Sequence, residues 1–181
     1  MSTIRPTGQY GKLDIINSAM RKVGMKTLDS LEGTYDIDKQ AIREYEKVSL
    51  STLKRYTTGF ALKEMQLIQE DEWLVLPSDF LLDVQPKIKE STIKNGKRMV
   101  KLYGHGSILK YITDSPEERW FTPEYIDAVE NELASIYALI FKGDPNLAAI
   151  FGAEARKCRL AIDALQPVDV IQKGVVYGRA Y

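Results

Sequence analysis

The stretch TPEYIDAVENELASIYALIFKGDP, running from Thr122 to Pro145, decides the fold. Thr122 is a natural helix N-cap, and Pro123 suits the first helical position, where an amide hydrogen has no partner to lose. Ile126, Val129, Leu133, Ile136, Tyr137, Ile140 and Phe141 then recur at steps of three and four, predicting a five-turn amphipathic helix. Gly143 ends it, and Asp144-Pro145 opens another helix at once. That next helix carries Leu147, Phe151, Ala155, Cys158, Ile162 and Leu165 as its stripe, and Pro167 stops it. A link as short as Gly143-Asp144-Pro145 forces the two into an α-hairpin.

Two earlier helices share this grammar. Leu13, Ile16, Ala19, Met20 and Val23 mark a first helix over Lys12–Val23, closed by Gly24. Ala41, Ile42, Tyr45, Val48, Leu53 and Tyr56 mark a second, with Asp36 or Asp38 as its cap and Thr57-Thr58-Gly59 as its end. Four amphipathic helices, each with one apolar face, predict a mainly α (α+β) fold: an antiparallel four-helix bundle.

Between the second and third helices the period changes. Trp73-Leu74-Val75-Leu76-Pro77 is a short apolar run stopped by proline, and Ile108–Ile112 offers another strand. Asn95-Gly96, flanked by Ser91–Lys94 and Met99–Tyr103, is a strong hairpin signal because both residues tolerate positive φ. The expected organisation is therefore helices one and two over 1–59, a β-rich insertion over 60–115, helices three and four over 116–165, and an extended C-terminal tail over 166–181. The tail is apolar through Val168, Val170, Ile171, Val175, Val176, Tyr177 and Tyr181, with Gly174 and Gly178 breaking any helix. A solvated terminus is normally polar, so this one is expected to dock, either on its own helices or on another subunit. Because the four helix faces are expected to satisfy one another, another subunit is favoured.

Composition narrows the function. The 181 residues are 44% hydrophobic, enough for a packed core, and 25 basic residues balance 25 acidic ones. Zero net charge argues against a chain whose main work is wrapping nucleic acid. One cysteine excludes a disulfide framework, and one histidine excludes a two-histidine metal motif. The N-terminal sequence does not read as a signal peptide, and no stretch reads as a membrane span. His105, between Gly104 and Gly106, reads as a loop residue and Cys158 as a core thiol. Asp36-Ile37-Asp38 and Glu70-Asp71-Glu72 offer carboxylates, but without a calcium-loop pattern. No phosphate-binding or catalytic motif is complete, and no cofactor is expected.

Charge is unevenly distributed. Lys87, Lys89, Lys94, Lys97, Arg98, Lys101 and Lys110 face a single acid, Glu90, between Gln85 and Ile112. The following stretch to Gly143 is acidic, with Asp127, Glu130 and Glu132 on the third helix. Three readings stay open: solvated faces, a basic insertion meeting an acidic helix of a neighbouring copy, or a basic hairpin touching phosphates.

The order of these parts resembles the tail tubular protein A family, the head-to-tail adaptors of short-tailed bacteriophages. Ile15-Ile16-Asn17-Ser18-Ala19-Met20-Arg21-Lys22-Val23-Gly24 and Thr27-Leu28-Asp29-Ser30-Leu31-Glu32-Gly33 are similar to the family's opening helix and the loop after it. Leu76-Pro77-Ser78-Asp79-Phe80-Leu81 resembles its Leu-Pro-x-Asp step, and Arg98-Met99-Val100-Lys101-Leu102-Tyr103 stands where it has an Arg-x-Leu-Tyr strand. Thr122-Pro123-Glu124-Tyr125-Ile126 resembles the start of its third helix. The likeness spans Leu13 to Leu165 and departs at Thr58-Gly59-Phe60-Ala61, where the family has a Gly-Trp-x-Phe-like step. It implies a non-enzymatic subunit of a twelve-fold ring, assembled in the host cytoplasm and located in the virion. The ring joins the portal protein to the tail nozzle (a tail tubular protein B-like partner), with tail fibres as a further partner. It lines a channel through which DNA passes non-specifically. In that setting the apolar tail residues would dock on portal or a neighbour. Lys87, Lys89, Lys94, Lys97, Arg98 and Lys101 would face a neighbour or DNA, and Asp127, Glu130 and Glu132 an opposing basic face. The alternatives are a nucleic-acid-binding module using the basic hairpin, or a cell-wall hydrolase.

Overall fold

The computed structural model describes residues 10–33, 35–55, 59–104 and 106–165. They divide into two compact units, the first built from residues up to 56 and from 117 to 165, the second from 57 to 116. The apolar tail, Val168 to Tyr181, lies outside the described residues.

The first unit holds four helices: α1 (Lys12–Lys22), α2 (Asp36–Arg55), α3 (Pro123–Lys142) and α4 (Pro145–Leu165). Local chemistry sets their ends. The Asp14 carboxylate accepts the Gly11 N–H at 3.0 Å at the start of α1. After α1, Gly24 takes φ +66° and the Met25 N–H reaches the Met20 carbonyl at 2.9 Å. Asp38 caps α2 by accepting the Tyr35 N–H at 3.1 Å. Thr122 Oγ1 accepts the Tyr125 N–H at 3.3 Å, and Asp144 Oδ1 accepts the Leu147 N–H at 2.9 Å. Gly143, at φ 62°, makes the turn between α3 and α4.

These helices do not close into a four-helix bundle, so the expected architecture is corrected to a mixed α+β fold of four helices with two antiparallel sheets. The reason lies in α3. Its buried residues include Tyr125, Val129, Leu133 and Tyr137, but also Ala128, Ala134 and Ala138, which lie around most of the helix circumference. Helix α3 is therefore a shared centre on which α1, α2 and α4 each pack, while α1 and α2 share little surface. A bundle would give each helix two flanking neighbours; here α4 packs extensively on α3 alone. Close approach of α3 and α4 needs small residues. The Ser135 hydroxyl donates to the Ala148 carbonyl at 2.7 Å, and a Cβ at Gly152 would stand 3.3 Å from Ser135 Oγ. On the α2 side, the buried Tyr137 hydroxyl donates to the Ala41 carbonyl at 2.8 Å. On the α1 side, Lys22 Nζ lies 3.2 Å from the wholly buried Glu130 and donates to Asn131 at 2.9 Å.

The second unit is all-β apart from one 3-10 turn. Its strands are β1 (Leu62–Gln66), β2 (Ile68–Glu70), β3 (Trp73–Val75), β4 (Phe80–Gln85), β5 (Ile88–Lys94), β6 (Lys97–Leu102) and β7 (Ile108–Thr113). One antiparallel sheet runs β1-β7-β4 and the other β2-β3-β6-β5. Leu67, Val100 and Leu102 meet Leu109 and Tyr111 in a single core that the two sheets share, with Leu74, Phe80 and Ile88 packed against it. Asn95 (φ 51°) and Gly96 (φ 74°) form the tight turn between β5 and β6.

Substituting Lys22 by Met takes the ammonium from the buried Glu130 carboxylate. The expected cost is about 3 kcal/mol, as for other broken buried ion pairs, read as a fall in the urea midpoint. The double variant Lys22→Met, Glu130→Leu is expected to recover most of it. A single variant as stable as the parent would show that this pair does not hold α1 on α3.

Candidate functional site

Each base of the hairpin block meets a partner within its own unit. Strand β3 lies beside β6, with Leu74 opposite Val100, and this brings the β2–β3 turn alongside the basic strand. Lys97 pairs with Glu70, and Lys101 with Glu72 at 3.2 Å. Lys87 stands 3.7 Å from Asp83, and Lys89 lies 3.9 Å from Glu90. Arg98 donates to the Phe80 carbonyl at 3.1 Å and covers the Phe80 ring at 5.6 Å. Lys94 and Lys101 stand over the Trp73 ring at 5.5 and 4.7 Å. These are surface pairs, each worth only about 0–1 kcal/mol. Together they compensate the hairpin's field locally, with acids that a count along residues 85–112 leaves out.

The acidic residues of α3 separate in the same way. Glu130 is fully buried beside Lys22, so it presents no charge to a neighbouring molecule. Glu132 pairs with Arg159 at 3.0 Å, and Asp127 is half-buried. The three do not make one open acidic face.

The candidate chemical residues occupy quiet positions. Cys158 is half-buried against Ala128 and Ile162; burial, then the Asp127 charge, pushes its thiol pKa up, away from the reactive thiolate. Asp38 is engaged as a helix cap, and Glu70 and Glu72 in ion pairs. His105 lies outside the described residues. Among the described residues no group of three or more His, Cys, Asp or Glu side chains could hold a metal ion, and no helix is long and apolar enough to cross a membrane.

Three features escaped the sequence reading. The first is Asp79, in the Leu76-Pro77-Ser78-Asp79 step. Its carboxylate accepts from Lys63 Nζ at 2.6 Å, Thr113 Oγ1 at 2.8 Å and Tyr111 Oη at 3.0 Å, and its carbonyl accepts the Asp114 N–H at 2.9 Å. One residue thus ties the entry of β4 to β1 and β7. Desolvation pushes its pKa up, but the bonds from Lys63, Thr113 and Tyr111 outweigh that and hold it below its ordinary value of 3.8. The Tyr111 hydroxyl, buried and bonded to this carboxylate, is pushed up to about 12.

The second feature is a ridge in the first unit, between α1 and α2. Leu31, Tyr35 and Ile37 are exposed there (41%, 69% and 52%), with the exposed carboxylates Asp29, Glu32 and Asp36 among them. The ridge borders a cleft of about 660 Å³ that Met20, Leu28, Ile140 and Phe141 also line. Its base is fixed by Asn17, whose side chain donates to the Leu28 carbonyl at 3.0 Å and accepts the Leu28 N–H at 2.7 Å. The third is a separate cleft of about 470 Å³ lined by Arg55, Arg156, Arg159, Glu132, Ser135 and Leu160. Ile140, expected in the core stripe of α3, is 42% exposed, and Ile150 and Leu160 of α4 are 59% and 68% exposed.

No protein-family model and no curated protein sequence matches the chain.

Because the folded pKa of Asp79 lies below the unfolded one, its contribution to stability is complete above the unfolded value. It is lost as pH falls through the folded value. Asp79→Asn is expected to lower the urea midpoint at pH 6, and the gap to the parent should close as pH drops below about 4. Parallel curves across that range, followed by tryptophan emission, would show that the carboxylate charge does not anchor β4.

Proposed function

We propose that this chain is a structural assembly subunit, a head-to-tail adaptor of a short-tailed bacteriophage. In this reading copies form a ring that joins the portal to the tail nozzle and surrounds the path of the exiting DNA. The observation that carries it is the display of large apolar side chains on a charge-balanced unit with no equipped catalytic centre among the described residues. Leu31, Tyr35, Ile37, Leu139, Ile140, Ile150 and Leu160 stand on the exterior of a unit of about one hundred residues. Such surfaces are what association covers.

The finer assignment draws support from the motifs that carry the family resemblance, since residues in them have defined physical roles. Asn17 of the opening motif latches the loop that carries Leu28, and Asp79 of the Leu-Pro-x-Asp step binds three strands together. Local neutralisation of Lys87, Lys89, Lys97 and Lys101 favours a channel that DNA traverses over a surface that grips it. The apolar tail residues from Val168 to Tyr181 are assigned to the contact with portal or with a neighbouring subunit.

Removing residues 166–181 is expected to leave thermal unfolding of the remaining chain unchanged and to abolish its co-sedimentation with the portal protein of the same virion. A truncated chain that still completes connectors would refute the tail assignment. Tight, salt-dependent retardation of DNA by the isolated full-length chain would instead favour a nucleic-acid-binding module, whereas the adaptor is expected to give weak retardation or none.

A further inference from the structure

We propose that the open edge of β5 pairs antiparallel with the same edge of a second copy of this chain, across a twofold axis at Thr92. The inference goes beyond the ring reading and does not rest on it, because a twofold contact joins two copies and stops.

The edge follows from the hairpin. Strand β5 ends the sheet β2-β3-β6-β5, and five of its seven residues are exposed. A two-residue turn leaves the pair that flanks it hydrogen-bonded, here Lys94 and Lys97. At steps of two, Thr92 opposite Met99 and Glu90 opposite Lys101 then also direct their backbone groups at β6. Ser91 and Ile93 direct theirs away from β6, at the open edge. Strand β6 shows the same alternation: the Arg98 carbonyl, opposite Ile93, turns from β5 and accepts the Leu76 N–H at 2.9 Å.

The register is set by where the regular edge begins and ends. A register shift between Ile88 and Glu90 interrupts it on one side, and the Asn95-Gly96 turn closes it on the other. The stretch between, Glu90 to Lys94, has Thr92 at its centre. A second copy laid antiparallel on that centre sets Ser91 opposite Ile93 in both halves, and these are the residues whose backbone groups are open. It also sets Glu90 opposite Lys94 in both halves, and Thr92 opposite its own counterpart. Opposite charges and paired threonines are favourable cross-strand neighbours. Ile93, at 73% the most exposed large apolar side chain among the described residues, lies diagonally across the axis from its counterpart and within reach of it.

Lysines on an edge ordinarily deter strand addition. Here they select the partner, because only this register gives each Lys94 a carboxylate. Lys94 leans over the Trp73 ring at 5.5 Å, and Glu90 stands 3.9 Å from Lys89. Both side chains stay exposed, so a second copy can engage them.

The test is the light-scattering mass of the full-length chain across a concentration series, with circular dichroism to show that each variant is folded. The parent is expected to pair. Ser91→Pro removes an N–H that faces the open edge and none that holds the sheet. It should leave folding intact and weaken pairing by more than about tenfold. Glu90→Lys alone and Lys94→Glu alone should each be monomeric, since like charges then meet in both halves of the contact. An equal mixture of these two variants should pair again, because one presents only basic side chains at these positions and the other only acidic ones. A parent that is monomeric at every concentration would overturn the edge contact. So would an oligomer indifferent to Ser91→Pro and to both reversals. Co-sedimentation with portal tests the ring reading separately, and Ser91→Pro is expected to leave it unchanged.

Discussion

The burial of α3 against three other helices is the constraint from which the helical unit follows. A helix whose covered residues include Tyr125, Val129, Leu133, Ala134, Tyr137 and Ala138 needs neighbours on more than one side. Helix α1 supplies an ammonium for the buried Glu130, α2 a carbonyl for the Tyr137 hydroxyl, and α4 a small-residue face that accepts Ser135 and Ala128. The Tyr137 and Ser135 hydroxyls gain hydrogen bonds and Glu130 a counter-charge, which offset part of the cost of burying them. The cost of this arrangement falls on α4. Covered by α3 on one side, it keeps Ile150 and Leu160 in water, and the association reading grows from that imbalance.

The legible part of the fold was the part fixed by chemistry within a few residues. Gly24 and Gly143 take the left-handed conformation that ends a helix, Thr122-Pro123 starts one, and Asn95-Gly96 turns a hairpin. Each signal acts over three or four residues, so sequence alone carries it. The arrangement of the helices was not legible, because Ala128, Ala134 and Ala138 register as neutral in a periodicity scan and conceal the second covered side of α3. Strand β1 was missed because four of its five residues are exposed, leaving no alternation to detect. Strand β4 follows a proline and carries two register irregularities against β7.

The surfaces were less legible than the fold, for a reason that lies in topology. The balance of charge over residues 85–112 is a property of the segment, whereas the field is a property of the sheet. The pairing of β3 with β6 places Glu70 and Glu72 beside Lys97 and Lys101, and no local window contains both members of either pair. Glu130 gives the converse case: its position among acidic neighbours suggests a solvated helix face, but folding buries it beside Lys22, more than one hundred positions away. The Asp79 cluster joins residues 63, 79, 111 and 113, which no spacing rule would have grouped. The arginine-lined cleft likewise draws on three helices.

The interruption of the helical unit by the β unit has a consequence for biosynthesis. The β unit is contiguous in the chain and can fold as soon as its last strand has emerged. The helical unit must wait, because α1 and α2 are made early and their common partner α3 arrives only after some sixty intervening residues. During that interval Ile15, Ile16, Met20, Val48 and Leu53, all covered in the finished protein, have no α3 to pack against. The nascent chain is thus most exposed to aggregation midway through translation, and holding chaperones would act there.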